Sequence, residues 1–267
     1  MASENLQSGA VIPPLPQVGD IDDAFPVWTL WDVVKIAIIA IATLFFFSLL
    51  VLMVASGLPA FRATTMKELL MDARLAVLSQ LLTYVATFWF VYRLIARHYS
   101  VPFAEGVHWR WPGYRAAFYL ILGALFALVV QQGSRYLPIP RQMPINQLFK
   151  TPAAAWSLAL FGTLIAPLAE ELFFRGLLFP VLIRRIGLAS GLVITSLLFA
   201  LLHASQLGMA WAPVLILFLV GLMLTLVRYV THSLATSTLF HVGYNAIIFV
   251  RLYAATDGFH HLERALQ

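Results

Sequence analysis

The chain has 267 residues, 61% of them hydrophobic and 11% charged, with a mean hydropathy of +0.86 and a formal charge of +5. A soluble domain is about half apolar and about a quarter charged, so an ordinary globular enzyme is excluded, and the 13% aromatic content excludes a disordered chain. The absence of cysteine removes disulfides, iron–sulfur clusters, thiolate metal sites and cysteine nucleophiles. Long continuous apolar runs, rather than short alternating ones, predict an all-α polytopic transmembrane helical bundle and not a β-barrel. There is no basic stripe of the kind nucleic acid requires. The lipid bilayer is the expected partner, and the excess Arg reads as membrane-flanking loops.

Residues 1–27 are polar, with Asp20, Asp22, Asp23 and Pro26 near their end. No Lys or Arg precedes the first apolar run, which favours a retained span over a cleaved signal. A span needs roughly 20 mostly apolar residues. On that rule spans are expected at 33–56, 75–96, 116–132, 153–183, 187–206, 211–229 and 233–253, about seven in all. The fourth is too long for one straight crossing and contains Pro167, so it should kink or tilt. The connector 133–152, with Pro138, Pro140, Pro144 and Pro152, reads as an interfacial lid or gate. Trp109, Trp111, Tyr114 and Trp211 suit interfacial belts. Lys and Arg are nearly balanced between the two faces, so orientation stays open. The expected organisation is a polar segment 1–27, N-terminal helices and connectors 28–150, a transmembrane core 151–253 and a polar tail 254–267.

Between Gly106 and Thr256 the only acidic residues are Glu170 and Glu171, inside an apolar run with Arg175 just behind. Ionisable groups at bilayer depth are costly unless paired or hydrated, which makes them functional candidates. The plain alternative is an ion pair that only fixes helix packing. Glu171 and Arg175, at i and i+4, share a helix face and can pair. Glu170 points about a hundred degrees away and is left free to face a cavity as a general base. His203 closes one apolar run, with Phe199 four residues earlier on its face. His241 stands in another, with Asn245 one turn on. Each alone could be a packed polar residue. His98, His108, His232, His260 and His261 read as solvated. Ser196, Ser205, Ser233 and Ser237 have no Asp partner for a triad, and no span interior carries Asp, so paired-aspartate proteolysis is out. A water-activating carboxylate or a metal site remains.

Glu170–Arg175 reads EExxxR and is followed by Gly176. Phe199–His203 reads FxxxH and His241–Asn245 reads HxxxN. In this order the three motifs resemble the CPBP family of intramembrane proteases. That family includes the CAAX prenyl endopeptidase and the bacterial abortive-infection and bacteriocin-immunity homologues. The resemblance covers roughly 150–250 and implies a four-helix catalytic core there. It implies that Glu170 activates water, that His203 orients the water or polarises the carbonyl, and that His241 and Asn245 hold the oxyanion. Glu171, Arg175 and Phe199 would support the site. The resemblance leaves metal dependence open: Glu170, His203 and His241 make a two-His, one-carboxylate zinc set. No cofactor is favoured, on the ground that no second carboxylate is left to orient the imidazoles.

These readings imply an endopeptidase acting on a membrane-anchored protein or peptide, near a membrane-embedded or lipid-anchored segment. The compact chain without lumenal sorting signals points to a bacterial inner membrane. Two alternatives stay open: a non-proteolytic scaffold or immunity protein using the cavity for binding, and a small transporter relaying protons through Glu170 and His241.

Overall fold

The computed structural model describes residues 28–263, and the readings made of 1–27 and of 264–267 lie outside the described residues. Helix α1 (Leu30–Gly57) starts at Thr29, whose hydroxyl accepts the Asp32 N–H while the Asp32 carboxylate accepts the Thr29 N–H. This reciprocal cap satisfies two backbone donors that would otherwise be orphaned. The same carboxylate accepts the Tyr99 hydroxyl, which pins the start of α1 to the end of α2. Helix α2 (Ala73–Leu94) continues into a π turn, Ile95–Tyr99, and packs along α1. Helix α3 (Ala116–Ser134) follows, then the long α4 (Pro152–Ile186), α5 (Leu188–Leu202), α6 (Trp211–Thr231) and α7 (Leu234–Ala255). No strand occurs among the described residues.

Helix α4 spans 35 residues, which at about 1.5 Å per residue is some 50 Å, against a hydrocarbon core of about 30 Å. It is not uniform. Two π turns, Phe161–Ile165 and Leu172–Leu178, interrupt it, and each lies just before a proline, Pro167 and Pro180. A proline inside a helix lacks its N–H and clashes with the carbonyl four residues back. A widened turn before it relieves that clash, so the expected kink takes this form. Glu170 and Glu171 sit between the two widened turns.

Among the described residues, five helical segments are long and apolar enough to cross a membrane, fewer than the seven expected. The two others have physical reasons. Helix α5 has 15 residues, about 22 Å at ordinary helical rise, which is short for a bilayer. Helix α7 is long but polar, with Thr236, Ser237, Thr238, His241 and Tyr244 all buried. It is enclosed by α3, α4 and α6, so its polar side chains face protein rather than lipid. The connector 133–152 is tied down: the Ile145 N–H donates to the Gln206 carbonyl at 3.0 Å, on the loop that follows His203.

Helices α3 and α7 meet through two glycines. A Cβ on Gly123 would strike the Phe240 carbonyl, and one on Gly243 would strike the Leu120 carbonyl. Small residues allow this approach, which larger ones would forbid. Because Gly243 lies between His241 and Asn245, the same contact sets the depth of both. Gly243→Val is expected to cost about 3 kcal/mol and lower the melting temperature in detergent by about 5–10 °C. An unchanged melting curve would show that α3 and α7 can separate freely.

Candidate active site

The first π turn decides where Asn245 goes. In such a turn each carbonyl accepts from the N–H five residues on, and for Gly162 that residue is Pro167, which has none. The Asn245 side-chain amide supplies the donor instead, at 2.7 Å from the Gly162 carbonyl. One of its two N–H groups is thereby committed to holding α7 against α4. The expectation that Asn245 serves the oxyanion rests on the other.

The two carboxylates are in different surroundings. Glu171 is fully buried, and its Oε1 accepts from Arg175 at 2.9 Å and from His241 Nδ1 at 3.0 Å. Arg175, also fully buried, donates further to the Thr225 hydroxyl at 3.2 Å and the Gly221 carbonyl at 3.0 Å. Its guanidinium lies over the Phe199 ring, 4.7 Å from the centroid. One side chain on α4 thus joins α5 and α6. Buried charge at this depth is tolerable only when it is paired and hydrogen-bonded, and here each of the three guanidinium nitrogens has an acceptor. Thr225 and Gly221 were invisible in the sequence, where they are two residues of an apolar run. A Gly–Thr pair at i and i+4 is their one signal in the sequence.

Glu170 is 17% exposed, and its carboxylate lines a cavity of about 1020 Å³ bounded by α1, α2, α4 and α5. Its Oε1 lies 3.8 Å from His203 Nε2 and its Oε2 lies 3.8 Å from His241 Nε2. Both imidazoles are aimed from behind: His203 Nδ1 pairs with the Phe199 carbonyl at 2.9 Å, and His241 Nδ1 with Glu171. When neutral, each ring commits its N–H to that partner and presents a lone pair to Glu170. Acceptors therefore face acceptors across a gap too long for a direct hydrogen bond, which a proton-bearing species such as water would bridge. Phe199 packs on His203, with ring centroids 5.0 Å apart, and on His241 at 6.0 Å. It is the common wall behind both imidazoles and Arg175.

The imidazoles do have orienting partners. This removes the ground on which a metal was disfavoured, since Glu171 orients His241 and a backbone carbonyl orients His203. The donor set is one that zinc accepts, but its geometry does not fit as it stands. Each His faces a different oxygen of Glu170, and among the described residues no three His, Asp or Glu groups converge at metal-ligand spacing.

The sequence reading of two other histidines needs correction. His108 and His232 are half-buried rather than solvated, and they lie near Arg228 and Arg110. Burial, then the neighbouring Arg228, Arg110 and His232 charges, push the His108 imidazole down to about 4. Arg228 is a second fully buried cation, on α6, that the sequence reading passed over. Ser196 and Ser237 donate to carbonyls of their own helices, Leu192 and Leu234.

Residues 152–247 match the family described as type II CAAX prenyl endopeptidase, Rce1-like. In this segment the chain is similar to the Rce1-like family. No curated protein and no solved structure matches the chain. The Rce1-like segment takes in α4, α5, α6 and most of α7, and with them the EExxxR, FxxxH and HxxxN residues. Helices α1, α2 and α3 precede it. Yet α1 and α2 wall the cavity that Glu170 lines, so the site draws on both parts of the chain.

Proposed function

We propose that this protein is an intramembrane endopeptidase that hydrolyses a peptide bond near a membrane-embedded or lipid-anchored segment of its substrate. One observation carries the reading. Of two adjacent carboxylates, Glu171 is consumed by Arg175 and His241, while Glu170 opens on a large cavity between two aimed imidazoles.

A water held between Glu170 and the Nε2 atoms gives a proton to the Glu170 carboxylate and attacks the peptide carbonyl carbon. The carbonyl becomes a tetrahedral oxyanion, which the remaining Asn245 N–H stabilises in a water-poor site. Glu170 then returns the proton to the leaving nitrogen as the C–N bond breaks, and the acid's proton passes to the amine, yielding a carboxylate and an ammonium. The cavity walls are mostly apolar, and several lining residues (Ile41, Val85 and Leu202 among them) are exposed on the lipid-facing surface. That suits entry of an apolar tail or helix end from the bilayer.

The test is cleavage of an internally quenched, farnesylated CAAX-type peptide and of a single-span peptide, both in vesicles with the purified protein. In ¹⁸O-labelled water the new carboxylate should carry one labelled oxygen, as direct attack by water requires. Cleavage of neither peptide would overturn the reading. Metal content follows from the site geometry: a preparation that cleaves is expected to hold substoichiometric zinc and to keep its rate in EDTA. About one zinc per chain, lost in His203→Ala, would replace the metal-free route with a zinc-bound water.

A further inference from the structure

Helix α2 turns Gln80, Thr83, Tyr84 and Thr87 into the cavity that Glu170 lines. Their spacing, i, i+3, i+4 and i+7, puts them on one helix face, and the surrounding walls are almost entirely apolar. Thr83 is accounted for structurally, since its hydroxyl donates to the Ser79 carbonyl at 2.9 Å. The others are not. The Thr87 hydroxyl oxygen is buried and has no hydrogen-bond partner. The Tyr84 ring stacks on Phe161, with centroids 5.6 Å apart and planes 16° apart, and its hydroxyl lies near Gln80 and within electrostatic reach of Glu170. Phe161 is the first residue of the π turn that leads to Glu170.

We propose that this face of α2 is the subsite for the substrate's peptide backbone, with the Tyr84 hydroxyl donating to the carbonyl under attack. The inference rests on the endopeptidase reading. An extended segment that enters an apolar cavity brings N–H and C=O groups that need partners once water is left behind. Gln80, Tyr84 and Thr87 each offer both a donor and an acceptor. From residue 80 to residue 87 a helix rises about 10 Å, the length of about three extended residues, so the face spans a short peptide. Asn245 spends one N–H on Gly162, and a second neutral donor from across the cavity would complete the oxyanion site. Helix α2 lies outside the Rce1-like segment, so that match assigns none of these residues.

The test separates binding from turnover. In the Glu170→Gln background, a fluorescent farnesylated tetrapeptide is titrated and its anisotropy followed, with fluorescent farnesol as the apolar control. Gln80→Leu and Thr87→Val, added singly, are expected to weaken peptide binding by about 10-fold each while farnesol binding stays put. In the otherwise unaltered enzyme, Tyr84→Phe is expected to lower kcat by about 10²-fold with KM within about 2-fold. Peptide binding unaffected by both substitutions, equal loss of farnesol, or wild-type kcat in Tyr84→Phe would each overturn the proposal. So would a Glu170→Gln protein that does not bind the peptide at all. If Glu170→Gln itself cleaves, the hydrolytic reading fails instead, and the binding comparison still reads the subsite.

Discussion

Glu170→Gln is expected to lower the cleavage rate by about 10²–10⁴-fold, the usual contribution of a positioned general base, while the melting temperature stays unchanged. The amide keeps the shape of the carboxylate but cannot accept a proton at neutral pH. Neither neighbouring imidazole is at hydrogen-bond distance, both being 3.8 Å away, so no packing bond is lost. The adjacent Glu171→Gln should behave in the opposite sense. Its carboxylate is fully buried and takes two charge-assisted hydrogen bonds, from Arg175 and His241. Losing that charge strands the Arg175 guanidinium, and stability should fall together with activity. Cleavage assays paired with melting curves on the two variants check this directly. If both lose activity with equal loss of stability, Glu170 is a packing residue and the proposed water-activating role is wrong.

Arg175→Met is expected to cost about 3–5 kcal/mol, because it leaves the Glu171 charge buried without its cation. Three hydrogen bonds to two helices are lost at once: Glu171 on its own helix, and Thr225 and Gly221 on α6. The stacking of the guanidinium on Phe199 goes with them. Methionine fills much of the volume, so the loss is electrostatic rather than a cavity effect. The double variant Arg175→Met/Glu171→Gln should recover part of the loss, since neither charge then remains unpaired. The measurement is the fraction of monodisperse protein by size exclusion in detergent over a temperature ramp. Strict additivity in the double variant would show that the pair is not coupled.

Much of the architecture was legible in the chain itself. A membrane helix satisfies its backbone internally and must present apolar side chains to lipid, so each helix announces itself as an apolar run. For that reason all seven helices begin and end within a few residues of the expected spans, His203 falling just past the end of α5. The assignment of different surroundings to Glu170 and Glu171 was legible for a similar reason: i and i+4 share a face while adjacent residues do not. These are local rules, and one helix is enough to apply them.

What a single helix cannot reveal is what its faces meet. Gly221 and Thr225 anchor Arg175 only because α6 crosses α4 at that depth. Asn245 binds Gly162 because a π turn and a proline, far away in sequence, leave one carbonyl short of a donor. His241 gains its orienting carboxylate from another helix, which reverses the argument about the imidazoles that the sequence had suggested. Likewise Tyr84 and Thr87 read as ordinary members of an apolar span until α2 is seen to wall the cavity beside Glu170. Solvent, helices and motif residues can be read along the chain, because hydropathy and helical period act within one segment. Which polar groups meet depends on how the helices pack, because in an apolar interior each one must find its partner on a neighbouring helix.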